Sequence, residues 1–504
     1  MKNIILFIYF LLLGKVAIAN VIPNPLFSDN AVFQQNIAVP IWGTADRNES
    51  ITVSFAGQTV STTATNGHWM VKLNPIKAGG PFDLVIQGKN TVTFSNILVG
   101  EVWICSGQSN MERQLGLRVG QKPLDNWKAE AAAANYPQIR EFAVGKNPTP
   151  FPMSNLKGKW TVCDTATVVQ FSAVGYFFGS ELHKKLNVPI GLIHTSWGGT
   201  PAEKWTSRAA LEANDELKQL VEAYDEAVYK YPEALQKYRQ TESDLLQKWV
   251  ADTLVASENK KPVPQKPMPP ADPLRSGDCG GLFNSMIHPL IPYAFKGVIW
   301  YQGESNSGRA NQYQTLFSTM ITDWRQQWNI GDFPFLFVQI APFRTIVPEL
   351  REAQVLTSQK TLNTAMVVTI DCGDTTDIHP THKRPVGERL ALAARALAYG
   401  EKEVVYSGPV YSGFKIMGNK VEISFTHTAK GLMAKEGNLF GFTISEDGKN
   451  FVSAKAEIKG KTVIVQSEMV KIPKAVRYAF INNANGNLFN SAGLPASPFR
   501  TDVD

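Results

Sequence analysis

The sequence predicts an α/β fold, with an open parallel sheet in the middle of the chain and a β-rich, sandwich-like module at each end. Three observations predict it. Five nearly continuous apolar runs, at residues 99–105, 189–194, 297–301, 335–340 and 366–370, have the texture of strands buried on both faces. Helical periods lie between them. Towards both ends, shorter β runs broken by Gly and Asn take over.

At the N-terminus, Met1-Lys2-Asn3, the apolar run 4–13 and Ala17-Ile18-Ala19 are the charged, apolar and small-residue parts of a secretory signal peptide. Residues 1–19 are therefore expected to be cleaved after Ala19, and the chain exported to a periplasm or beyond the cell. No later stretch approaches the ~20 apolar residues of a membrane span, so stable membrane insertion is not expected. Residues 20–96 carry β runs at 38–42, 51–55, 68–71 and 82–86, the pattern of a small antiparallel sandwich.

Residues 97–400 form the expected α/β unit. Tyr313, Leu316, Phe317, Met320, Ile321 and Trp324 repeat at helical spacing and make one apolar face, and Val386, Leu390, Ala393 and Leu397 repeat similarly. Within this unit, residues 207–276 read as an insertion. It is charged and helical at first, then rich in Pro and Lys at 260–273, as expected of a helical hairpin followed by a loop. Residues 401–504 return to β texture at 420–425, 440–444 and 462–465.

Composition narrows the function. The chain has 504 residues, 44% hydrophobic, enough for two or three domains. Its net charge of +6 falls to +4 without Lys2 and Lys15, and its basic residues are scattered, which argues against nucleic-acid binding. Cys105, Cys163, Cys279 and Cys372 are far apart with no C-x-x-C pair, so a zinc site is not expected.

Ligands bind open parallel sheets beyond the carboxyl ends of the strands. Three polar segments stand there. Ser106-Gly107-Gln108-Ser109-Asn110-Met111 places a serine at a strand-to-helix turn, either as a nucleophile at the sheet's rim or as a helix cap. Thr195-Ser196-Trp197-Gly198-Gly199-Thr200 offers backbone N–H groups to an anion, or is a plain turn. Trp300-Tyr301-Gln302-Gly303-Glu304-Ser305-Asn306 offers the Gln302 amide and the Glu304 carboxylate, for a site or for a structural network.

A nucleophilic serine needs a base. His68 and His427 lie in the β-rich flanks, His183 precedes two lysines on a solvated helix, and His194 and His288 sit where packing is expected. That leaves His379 and His382, in the loop after the last apolar run. Pro380 biases His379 towards extended backbone, so His379 is the expected base.

These motifs, with Leu26-Phe27-Ser28-Asp29-Asn30, Gly100-Glu101-Val102-Trp103, Asp377-Ile378-His379-Pro380 and the tail Ala492-Gly493-Leu494-Pro495-Ala496-Ser497-Pro498-Phe499-Arg500-Thr501, resemble the sialate O-acetylesterase family, within the GDSL-like (SGNH-type) carbohydrate esterases. The resemblance runs over nearly all of the mature chain. It implies a flavodoxin-like core, no metal or organic cofactor, and acetylated sialic acid or an acetylated glycan as substrate. It also implies attack by Ser109, proton transfer to His379, and an oxyanion hole from the Ser109 N–H, a Gly198 or Gly199 N–H and the Gln302 side chain.

One position departs from the pattern. Esterases of the wider group often carry an aspartate three residues before the histidine, where this chain has Thr376. Asp377, Glu304 and Asp374 are the alternatives for orienting His379, Asp377 first, and a Ser109–His379 dyad is a fourth. A cation should meet the sialate carboxylate, from Arg113, Arg325 or elsewhere. Competing readings are an esterase of acetylated xylan or another polysaccharide, a non-catalytic carbohydrate-binding protein, and a glycosidase using Glu304 with Asp374. The sequence leaves the oligomeric state open.

Overall fold

A computed structural model describes residues 20–274 and 279–502. The expected signal peptide, residues 1–19, lies outside the described residues. The fold is mixed α/β, with one mixed sheet at its centre and further β-rich sheets around it.

The organising element is the 17-residue strand Thr91–Gly107. Its first six residues are exposed or half-buried, and everything from Ile97 onward is buried. The first half pairs antiparallel with Gly79–Gln87 in the N-terminal β region. The second half lies between the parallel strands Ile190–Ser196 and Gly297–Tyr301. The boundary expected at 96/97 thus falls inside one strand. Texture changes there because neighbours begin to cover both faces, with no break in the chain.

Beyond Gly297–Tyr301 the sheet continues, still parallel, through Phe335–Val338 and Thr364–Val367. On the other side Tyr136–Ala143 adds a parallel strand, and Trp160–Cys163 an antiparallel edge. Side chains alternate between two cores. Val298 and Trp300 pack with Phe317 and Trp324 of helix Ala310–Trp328, while Ile299 and Tyr301 face Phe178 and Leu390 of helices Ala173–Leu186 and Arg384–Leu397. Fully burying each such side chain stabilises by about 1.5–3 kcal/mol, which fixes the register of the strand ends.

The insertion differs from expectation. A short helix, Arg208–Glu212, is followed by a single helix of 44 residues, Asp215–Glu258, and not by a hairpin. No glycine lies between Arg208 and Glu258 to stop the helix, and it runs on through Pro232. The Pro-rich segment then returns along it without helical structure, because proline has no N–H to give. Its carbonyls are used instead: Trp249 Nε1 donates to Pro264 O at 2.8 Å and Tyr238 Oη to Pro267 O at 3.4 Å.

The C-terminal region forms two four-stranded antiparallel sheets and a two-stranded one. It is fastened to the centre by Arg500 on Glu352 and by Arg351, which donates to the carbonyls of Ile481 and Asn482. The four cysteines are all buried and unbridged. Among the described residues no helix is long and apolar enough to cross a membrane.

Candidate active site

The three polar segments singled out in the sequence meet at the carboxyl end of the sheet. Gly107 ends the long strand with φ +133°, and a Cβ there would lie 2.2 Å from the Tyr301 carbonyl oxygen, so only glycine fits. Gln108 N–H donates to that same carbonyl at 2.9 Å, and the chain turns into the short helix Ser109–Glu112. The cap position is taken by Gln108, with no side-chain cap bond. Ser109 is therefore free of capping. Its Oγ lies 2.9 Å from His379 Nε2.

The ring of His379 is about one-fifth exposed and faces Ser109 with Nε2. Burial lowers its pKa from the ordinary imidazole range, and the nearby Lys383 charge lowers it further, against the opposing pull of Asp377. The ring is thus neutral near pH 7 and able to accept a proton. With Nε2 accepting from Ser109, Nδ1 carries the hydrogen. Asp377 Oδ1 stands 3.7 Å from Nδ1 and accepts the backbone N–H of His379 at 2.8 Å, and the Gln121 amide lies 3.5 Å from Nδ1.

The other candidate acids are engaged elsewhere. Asp374 accepts from the N–H and hydroxyl of Thr376 and pairs with Lys122 at 2.6 Å, which holds its carboxyl well below the usual range. Glu304 is half-buried, desolvation of its carboxyl raises its pKa, and its Oε1 accepts from Asn110 Nδ2 at 2.6 Å while Oε2 has no partner among the described residues. His382 makes a surface pair with Asp125 at 3.0 Å.

Asn110, which sequence reasoning passed over, joins the parts. Its Nδ2 also donates to Ile378 O at 3.0 Å, and its Oδ1 accepts from Lys383 Nζ at 2.5 Å. One buried amide thus ties the serine turn to the loop carrying His379. Lys383 is buried too, and that burial pulls its pKa down to about 7.

Of the expected oxyanion donors, Gly199 has φ +73° and nothing within 4 Å of where a Cβ would stand. The N–H groups of Ser109 and Gly199 have no acceptor among the described residues. The N–H of Gly198 is already given to Glu112 Oε2. Gln302 requires correction. It is fully buried, its Nε2 donates to Thr200 O at 3.2 Å and Asn306 Oδ1 at 2.7 Å, and its Oε1 accepts from Tyr313 Oη at 3.0 Å. Every amide position faces the scaffold, so Gln302 supports the Gly198–Gly199 turn from beneath and supplies no donor to the cavity.

The cavity has a volume of about 500 Å³, within the range of small-molecule sites. Ser109 and His379 line it together with Gly198, Gly199, Glu304 and Trp197. Sequence reasoning also missed Glu112, Arg118, Gln121 and Lys146 on its wall. The one available signal was that Glu112 stands one helical turn after Ser109. Burial alone would raise the Glu112 pKa, but Lys146, Arg118 and the Gly198 N–H together hold it below the usual range. Arg113 and Arg325, suggested for an anionic substrate, are spent on backbone carbonyls: Arg113 on Gln114, Gly116 and Lys122, Arg325 on Phe333 and Asn363. A second cavity, about 560 Å³, is lined by Trp42, Trp69 and His288, away from Ser109 and His379.

Comparison with known proteins gives this geometry a family. A family model described as carbohydrate esterase, sialic acid-specific acetylesterase, matches residues 99–254 and 280–396, which include Ser109, Gly198, Glu304 and His379. The chain belongs to this family. Sialate O-acetylesterase of Rattus norvegicus is 30% identical over 92% of this chain and 91% of its own length. That of Mus musculus is 31% identical over 77% of this chain and 75% of its own. A solved carbohydrate acetylesterase from Xanthomonas citri is 35% identical, with a TM-score of 0.80, over 96% of this chain and all of its own. The family read from the motifs is the family found, and as its member the chain is a carboxylic ester hydrolase.

Proposed function

We propose that the chain is a sialate O-acetylesterase in which Ser109 is the nucleophile and His379 the base. The observation that carries the mechanism is the 2.9 Å contact between Ser109 Oγ and His379 Nε2 in an open cavity. The sialate reading rests on the family and on relatives bearing that name across most of the chain.

Ser109 Oγ attacks the acetyl carbonyl carbon as His379 Nε2 takes its proton. The oxyanion is met by the N–H groups of Ser109 and Gly199, since that of Gly198 is engaged by Glu112. His379 then protonates the departing sugar oxygen, leaving an acetyl ester on Ser109. Water, deprotonated by the same ring, hydrolyses that ester and restores the serine. Asp377 and the Gln121 amide are the groups that face Nδ1, with Asp377 the carboxylate nearest the positive ring.

The finer fold reading is a flavodoxin-like core. It is supported by the strand order: with the flanking parallel strand Tyr136–Ala143 left aside, Thr91–Gly107, Ile190–Ser196, Gly297–Tyr301, Phe335–Val338 and Thr364–Val367, numbered along the chain, run 2-1-3-4-5 across the sheet. Around it we propose an N-terminal β module, the 207–276 insertion and a C-terminal β module. Export is proposed from the leader-like residues 1–19 alone.

The test is acetate release from 9-O-acetylated sialic acid, beside acetylated xylan and mannan. Release that prefers the sialoside and vanishes in Ser109→Ala supports the reading. Release from the sialoside no greater than from Ser109→Ala refutes it.

A further inference from the structure

We propose that Arg118 and Lys146 form a clamp for the substrate's carboxylate, and so set the preference for an acidic sugar over a neutral one. This rests on the sialate reading above and names the residues that would enforce it.

The two cations come from different loops and converge on one oxygen. Arg118 Nη2 lies 3.0 Å and Lys146 Nζ 2.7 Å from Glu112 Oε1. Glu112 Oε2 takes the Gly198 N–H. A Cβ on Gly198 would stand 3.0 Å from Glu112 Oε2 and 3.1 Å from Ser109 Cβ. The Glu112 carboxylate that gathers both cations therefore stands beside Gly198, next to Ser109.

Both cations line the same cavity as Ser109 and His379, with side chains about one-third exposed. Lys146 also lies over the Trp197 ring, 5.6 Å from its centre. Glu112 shows that the pair accepts a carboxylate. It neutralises one of the two charges and leaves the cluster of Glu112, Arg118 and Lys146 with a net +1. The Arg118 side chain uses a single N–H on Glu112 and makes no other hydrogen bond among the described residues, so its planar fork retains donors for a second carboxylate. Arg113 and Arg325 are committed to backbone carbonyls and do not compete for this role. A neutral acetylated sugar offers such a pair only neutral acceptors, which are held more weakly than a carboxylate.

Three substrates test it: acetylated sialic acid, its C1 methyl ester and p-nitrophenyl acetate, each with the parent enzyme, Arg118→Gln, Lys146→Gln, the double variant and Arg118→Lys. The readout is the ratio of kcat/KM for the free acid to that for the methyl ester, which a general loss of activity leaves unmoved. One charge-assisted contact corresponds to a preference on the order of 10- to 100-fold. The parent is expected to show it, the double variant to bring the ratio close to one, and Arg118→Lys to restore part of it. A parental ratio near one, or a high ratio that survives the double variant, overturns the clamp and leaves the sialate reading standing. A parent that cleaves p-nitrophenyl acetate but neither sialoside overturns both.

Discussion

Replacing Asn110 with alanine removes a buried side chain that joins the serine turn to the histidine loop. Its amide bonds Glu304, Ile378 O and Lys383, and it is 1% exposed. Each buried polar group left without a partner costs about 1–3 kcal/mol, and more when charged. Three are stranded at once here, and water entering the vacated space recovers part of the loss, so Asn110→Ala should be destabilised by about 3–5 kcal/mol. Catalysis suffers through Ile378, whose carbonyl anchors the residue before His379. A misplacement of about 1 Å at a reacting group costs on the order of 100-fold, and the loss should appear in kcat. Urea unfolding followed by tryptophan fluorescence, with initial rates on p-nitrophenyl acetate, measures both. A variant within about 0.5 kcal/mol of the parent and within about two-fold of its kcat would refute the linkage.

Further outcomes follow from the same contacts. The parent's kcat/KM should fall as pH drops through a His379 midpoint below the ordinary imidazole value, and Lys383→Met should move that acidic limb to higher pH, because the lysine charge no longer disfavours the imidazolium; an unmoved or lowered limb contradicts this. Gly107→Ala forces a Cβ against Tyr301 O and should cost at least about 2 kcal/mol or prevent folding, read from the urea midpoint. Gln302→Met should lower the urea midpoint together with activity, whereas loss of a true oxyanion donor would leave stability intact and cut kcat by about 100- to 1,000-fold. Intact mass of the chain expressed with its leader should show an N-terminus at Asn20, and a retained leader would count against the proposed export.

How far the sequence reads depends on whether a feature is local. The meeting of Ser109 and His379 was legible because each stands in a polar loop that follows an apolar strand, where a core would not tolerate it unpartnered. The strand texture placed the sheet, while the side on which Gln302 projects could not be read from its neighbours. After Tyr301 the chain leaves the strand, and the Gln302 amide enters the network of Thr200, Asn306 and Tyr313. Glu112, Arg118 and Lys146 were missed because charged residues on loops are usually solvated, and their meeting spans 34 residues between Glu112 and Lys146. Lys383 was invisible for a related reason, since a buried lysine is rare and only its partners explain it. The 44-residue helix was mistaken for a hairpin because a charged helical pattern does not show whether it folds back on itself, and here it runs on unbroken through Pro232.

The central claim is that Ser109 is a nucleophile activated by His379. Incubation with a serine-directed phosphonate, followed by intact-mass and peptide analysis, tests it most directly. One adduct per chain is expected, on the peptide containing Gly107 to Met111, absent in Ser109→Ala and formed far more slowly in His379→Ala. A stoichiometric adduct on any other peptide, or labelling that survives Ser109→Ala, would contradict it.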